Sequence, residues 1–142
     1  AMNARAAGIF RHGVYGNTMT TNPRALEVAV SVLDALTPEL RENIRRRGAE
    51  LVERLQALAG ELGDAITGVQ GTGLLFSCEL NERYKCFGAD STEDYLRRQG
   101  LGVIHGGARS LRYTPRFAIG ADEVDLIIDL TRKALLDGPI HG

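Results

Sequence analysis

A guanidinium framed by apolar neighbours, Leu111-Arg112-Tyr113, is the side chain in this sequence best suited to hold an anion. Its planar fork of donors pairs bidentately with a carboxylate, which a lysine would not reproduce. If the segment alternates as a strand does, Arg112 lies on the face opposite Leu111 and Tyr113, and looks either to solvent or into a site. Asn17-Thr18 is a second candidate. A hydroxyl and backbone amides shortly before a helix make a good anion site, yet the same two residues also read as ordinary turn formers. The remaining polar features offer less. His12, His105 and His141 show no metal-ligand spacing; of these, His105 lies in a glycine-rich connection near Arg112, where it could line a pocket. Gly71-x-Gly73 lacks a third glycine and precedes a strand, so it is no dinucleotide fingerprint. Arg45-Arg46-Arg47 spreads over three directions on a helix and reads as a solvated face.

The elements that must position these groups belong to a chain of ordinary globular composition. Hydrophobic residues make up 44% of the 142 positions and charged residues 25%. That length can bury a real core. A net charge of -1 supplies no field to gather nucleic acid or anionic lipid, so neither is expected as a partner. The longest apolar runs, such as Leu74-Leu75-Phe76, fall far short of a membrane span. Two cysteines, Cys78 and Cys86, are too few for a disulfide scaffold and read as free thiols in a reducing, cytoplasmic setting. No metal site is expected. Ala1 ahead of Met2 suggests that the natural protein extends upstream.

Asn22-Pro23 opens a helix to about Leu36, with Leu26, Val30 and Leu33 at helical spacing. Thr37-Pro38-Glu39 restarts the same logic for a long second helix carrying Leu51, Leu55 and Leu58, which ends near Gly60 and Gly63. Val69 to Gly73 reads as a glycine-punctuated turn feeding a mostly buried strand, Leu74 to Leu80. Ser91 caps a short helix through Arg98. Gly100 to Ile104 and Ser110 to Tyr113 read as two short strands. A final helix from Gly120 buries Val124, Ile127, Ile128, Thr131 and Leu135, and Asp137-Gly138-Pro139 stops it. The fold expected is an α/β (α+β) layer: a small three- to four-stranded sheet covered by helices and preceded by a long helix. Spacing leaves the direction of the strands open.

Three segments, in order, change the expectation from a domain of unknown job. Tyr15-Gly16-Asn17-Thr18-Met19-Thr20-Thr21-Asn22-Pro23 resembles the segment of class III pyridoxal-phosphate aminotransferases in which Gly, a small polar residue and Thr precede Asn-Pro and a helix. Val69-Gln70-Gly71-Thr72-Gly73-Leu74 is similar to that family's Val-Arg-Gly-x-Gly-Leu entry into its small domain. Leu111-Arg112-Tyr113-Thr114-Pro115 resembles its Leu-Arg-Phe-x-Pro segment. Thr20-Thr21 stands where many relatives carry Gly-Gly, and Arg116 where a second proline is frequent.

The resemblance implies a carboxy-terminal small-domain fragment of a fold type I aminotransferase. Residues 1–22 would end the large domain with its phosphate-binding turn, and 23–142 would form linking helices and the small domain. Thr18, with Asn17 beside it, would bind the phosphate of pyridoxal 5'-phosphate in the neighbouring subunit of a homodimer, and Arg112 would hold a substrate carboxylate. The full-length enzyme would move an amino group between a small-molecule amino donor and a 2-oxo acid acceptor. The lysine that binds the cofactor covalently lies upstream of the Gly-x-Thr segment in the family, whereas Lys85 and Lys133 lie downstream. The isolated chain is therefore expected to hold no catalytic residue, to be inactive and not to retain the cofactor. Two readings compete: a non-catalytic dimerisation or interaction module that keeps the fold, and a sensor binding a carboxylate through Arg112.

Overall fold

The computed structural model describes residues 7–8 and 22–141, in two compact units, Ala1–Thr37 and Pro38–Gly142. In the first unit, α1 (Pro23–Ala35) begins where the sequence demands. Asn22 Oδ1 accepts from the amides of Arg24 at 3.0 Å and Ala25 at 3.4 Å, and Pro23 has no amide to leave orphaned. The helix buries none of its residues; Leu26, Val30 and Leu33 are all exposed. At 13 residues it has little stability of its own.

The second unit runs α2 (Pro38–Glu61), β1 (Ile66–Thr72), β2 (Leu75–Leu80), α3 (Thr92–Arg98), β3 (Ile104–His105), β4 (Ser110–Tyr113) and α4 (Ala121–Asp137). The sheet has the order β1-β2-β4-β3, with every neighbouring pair antiparallel. Phe76, Cys78 and Leu80 on β2, with Leu111 and Tyr113 on β4, point into the core. Ser77, Glu79, Ser110 and Arg112 alternate with them onto the opposite face. Phe76 and Tyr113 sit directly opposite and stack, ring centroids 4.9 Å apart. Thr131 donates its hydroxyl proton to the Ile127 carbonyl at 2.7 Å, so the buried Tyr113 hydroxyl is the donor in its 3.1 Å contact with Thr131.

Helices α2 and α4 cover the core face through Leu51, Leu55 and Leu58 on one, and Val124, Ile127, Ile128 and Leu135 on the other. Arg54 pairs with Asp125 and Arg132 with Glu61, both across a sequence separation of 71, so the two helices run parallel and in register. Helix α3 adds Leu96, and Ser91 caps it by accepting from the Asp94 amide at 3.1 Å. The polar loop before it is tied down: the Tyr84 hydroxyl donates to the Leu135 carbonyl, and the Thr92 amide to Lys85.

Two expectations need correction. Val69 to Thr72 is no turn but the second half of β1, paired with β2 from Val69↔Cys78 to Thr72↔Leu75. Gly71 is there because of packing: a Cβ at that position would lie 2.6 Å from Phe76 Cβ and 2.8 Å from Val52 Cγ2. Without side chains at Gly68 and Gly71, β1 lacks the period that marks a strand. In addition, the strand expected over Gly100 to Ile104 is confined to Ile104–His105, since Gly100 adopts a positive φ.

Candidate functional site

Because all three helices of the second unit pack on one face of the sheet, the other face is left open among the described residues, and it carries Gln70, Ser77, Glu79, Ser110 and Arg112 beside the exposed Leu75 and Ile104. Register sets them in rows. Gln70 pairs with Ser77, Ser77 with Arg112, and Arg112 with Ile104, so one row crosses the four strands. The next row holds Glu79 opposite Ser110. Together they floor a trough of about 530 Å³ that continues past Glu79 and Gly68. Arg112, in the middle of the sheet, is exposed. Its Nη2 rests against Gly106, where a Cβ would stand 3.4 Å away.

The pairing of charges elsewhere makes this face unusual. Arg54, Arg83, Arg97, Arg116 and Arg132 each meet a carboxylate. Among the described residues, the side chains of Gln70, Ser77, Glu79, Ser110 and Arg112 have no hydrogen-bond or ion-pair partner. A guanidinium flanked by hydroxyls and an amide, all with free hydrogen-bonding capacity, can take a planar anion bidentately.

Sequence reasoning found Arg112 but not Ser77, Gln70, Ser110 or Glu79. The signal for three of these was present, since both Leu75–Leu80 and Ser110–Tyr113 alternate with period two. Gln70 was hidden by the glycines around it. His105 does not line the trough. It pairs with Leu111 and so faces the helices, opposite to Arg112. There its Nδ1 lies 2.8 Å from Glu93 Oε2, its amide donates to the same oxygen at 3.2 Å, and its ring lies against Phe87. Burial by itself would raise the Glu93 carboxyl, but hydrogen bonds from His105 and Arg97 outweigh it and hold the group below its usual range.

The lysines stand apart from the trough. Lys85 Nζ donates to the Ala89 carbonyl at 2.9 Å, and Lys133 Nζ to Gln99 Oε1 at 3.3 Å. Cys78 and Cys86 are both fully buried as free thiols. Asn17 and Thr18 lie outside the described residues. No helix among the described residues is long and apolar enough to cross a membrane.

Comparison with known proteins agrees with this architecture. The family model described as "Aminotransferase class-III" matches residues 1–135. An acetylornithine aminotransferase of Thermosynechococcus vestitus is 31% identical over 128 residues, spanning 89% of this chain and 31% of that protein. Another, from Neisseria meningitidis, is 30% identical over 121 residues, covering 84% and 30%. The chain thus spans about a third of the length of the curated relatives it matches. Among solved structures, an ornithine aminotransferase of Plasmodium yoelii superposes with a TM-score of 0.73 at 26% identity, over 91% of this chain and 34% of that one. An acetylornithine aminotransferase of Elizabethkingia anophelis gives 0.71 at 24% identity, over 92% and 34%, and at that identity supports the fold alone.

Proposed function

The chain belongs to the class III aminotransferases, and from that premise we propose that it supplies the small domain of such an enzyme, with Arg112 as the clamp for a substrate carboxylate. The observation that carries this reading is the Arg112 guanidinium, unpaired among the described residues, on the sheet face opposite the helices and flanked by Ser77 in its own row. A bidentate pair there would fix both the position and the orientation of a 2-oxo or amino acid, so that its reacting carbon meets the chemistry at one angle. Ser77 and Ser110 would fill the remaining lone pairs of the carboxylate.

The family implies pyridoxal 5'-phosphate, which when bound supplies the electron sink for moving an amino group. Neither lysine among the described residues, Lys85 or Lys133, faces the trough, so this chain's part is recognition. Asn17 and Thr18 are proposed to hold the cofactor phosphate of a neighbouring subunit in a homodimer, on the strength of their match to the family's Gly-x-Thr segment. On the same reading, residues 1–22 end the large domain and 23–142 form the linking helices and small domain. The uncovered apolar residues of α1, including Leu26 and Leu33, are consistent with a helix whose cover lies in the rest of a full-length enzyme. Two buried free thiols fit a reducing, cytoplasmic compartment.

Acetylornithine, named for the similar curated enzymes, is the amino donor to try first, with a 2-oxo acid as acceptor. The test has two arms. Titration of 2-oxoglutarate into the 15N-labelled chain should shift the amides of Ser77, Gly106 and Ser110 in a saturable way, with a dissociation constant on the order of 1 mM or weaker. Arg112→Ala should abolish the shifts; shifts that survive it would remove Arg112 from the role. Incubated with pyridoxal phosphate, donor and acceptor, the isolated chain should show no sustained turnover, and turnover would overturn its assignment as a recognition fragment.

A further inference from the structure

The edge of the sheet at β3 is held from outside by a side chain. Antiparallel strands alternate hydrogen-bonded and non-bonded pairs. Gly106 donates its amide to the Ser110 carbonyl at 2.6 Å, so the adjacent pair, His105 with Leu111, is a non-bonded one, and the His105 amide points away from β4. That donor is not left to water. Glu93 Oε2, from the first turn of α3, accepts it at 3.2 Å and also accepts from His105 Nδ1 at 2.8 Å. An ionised carboxylate only accepts, so Nδ1 carries the proton in this ring. Arg97 Nη2 donates to the other oxygen at 2.5 Å, and Glu93, only 9% exposed, is thus bonded at both oxygens. Phe87 lies against the imidazole, ring centroids 5.1 Å apart. The buried Val103 anchors the start of this two-residue strand in the core. Its other end runs into Gly106 and Gly107, the latter at positive φ, and there the Glu93 clamp does the fixing.

What β3 borders is Arg112. Ile104 stands directly opposite Arg112 on the same sheet face, and the guanidinium lies over Gly106, where a Cβ would stand 3.4 Å from Nη2. From this arrangement we infer that Glu93 and His105 are positioning residues: from the helix side of the sheet they pin the end of β3, and so hold in place the wall against which the Arg112 side chain lies. Neither side chain enters the trough, which Gly106 lines and His105 does not. A long side chain loses rotamer freedom when it takes a ligand, and a wall that orders it beforehand removes part of that cost. This consequence for binding rests on the carboxylate role proposed above; the placement of Arg112 itself does not.

The test uses the 15N-labelled full chain and two readouts. The first, without ligand, is the heteronuclear NOE of the Arg112 Nε–Hε pair, which reports side-chain motion on the ps–ns scale. It should fall in Glu93→Ala, which removes the acceptor of both His105 bonds, and fall less in His105→Leu, which loses the ring bond alone. It should recover in His105→Asn, whose side-chain amide donates where Nδ1 does. Arg97→Ala, which takes a partner from Glu93 without touching β3, should match the parent. The second readout is titration with 2-oxoglutarate. Its affinity should weaken by about two- to tenfold in Glu93→Ala, the cost of ordering one long side chain on binding. Should Glu93→Ala fail to fold, the half-exposed His105→Leu still decides. An NOE unchanged in His105→Leu would overturn the positioning role, and so would a fall that His105→Asn does not reverse. If the parent chain does not bind 2-oxoglutarate, the carboxylate role of Arg112 falls, and the NOE alone decides whether Glu93 and His105 position it.

Discussion

Replacing Gly48 with alanine should destabilise the second unit even though alanine is the better helix former. Gly48 is buried within α2, and an ideal Cβ there would lie 2.1 Å from the carbonyl oxygen of Gly73, 2.5 Å from its carbon and 2.9 Å from its Cα. All three are backbone atoms of the β1–β2 turn, so no side chain can swing aside. To restore ordinary contact, helix and hairpin must part by more than 1 Å. Helix propensity favours the alanine by about 1 kcal/mol. Overpacking that moves backbone costs about 1–3 kcal/mol and occasionally more, and a carbonyl at 2.1 Å puts this site at the upper end. The net loss should be about 1–2 kcal/mol, a fall in Tm of about 5–10 °C for a unit of this size. Gly60 in the same helix is the control. Nothing lies within 4 Å of a Cβ there, so Gly60→Ala should gain up to about 1 kcal/mol. Thermal and urea unfolding followed by circular dichroism would measure both. A Gly48→Ala chain as stable as the parent would refute the close approach of α2 to the hairpin, and with it the packing that positions Gln70 and Ser77.

Burial pushes the Cys78 thiol up to about 12, with Cys86 nearby adding to the shift, and burial pushes Cys86 up to about 11. Both should thus resist Ellman's reagent in the folded chain near pH 8 and react promptly once urea unfolds it; fast reaction of the folded chain would contradict their packing. Because the Glu93 carboxyl is held below its usual 4.5 in the fold, an unfolded chain takes up the proton first, so this stabilisation is full above that pH and is lost as pH falls. Glu93→Gln should lower the urea midpoint at pH 7, by the equivalent of about 1–3 kcal/mol, and much less near pH 3; an equal effect at both would show that the charge plays no part. Tyr113→Phe, which loses only the bond to Thr131, should cost about 1 kcal/mol in urea unfolding, because Thr131 keeps its bond to the Ile127 carbonyl.

The helices were legible because their signals are local. Asn22-Pro23, Thr37-Pro38 and Ser91 sit within one turn of the helices they begin, and the apolar positions of α2 and α4 repeat at helical spacing through segments long enough to outvote noise. Strands gave a weaker return. β4 is legible because Ser110-Leu111-Arg112-Tyr113 alternates cleanly, whereas Val69 to Thr72 in β1 reads as a turn because Gly68 and Gly71 carry no side chain to show the alternation. Gly71 answers to Phe76 and Val52, which lie on other elements, and no local rule contains that information.

From sequence alone come the caps, the helical faces, the arginine between two core residues, and the three segments that link the chain to its family. Each depends on residues close together along the backbone or on a pattern with fixed separations. Tertiary structure alone decided which way the strands pair and which sheet face the helices leave bare. Pairing brings Gln70, Ser77, Ser110 and Glu79 around Arg112, and turns His105 away from them to Glu93. A one-residue change in the register of β2 against β4 would have put Cys78 and Leu80 on the open face in place of Ser77 and Glu79, and only the burial of one face chooses between the two.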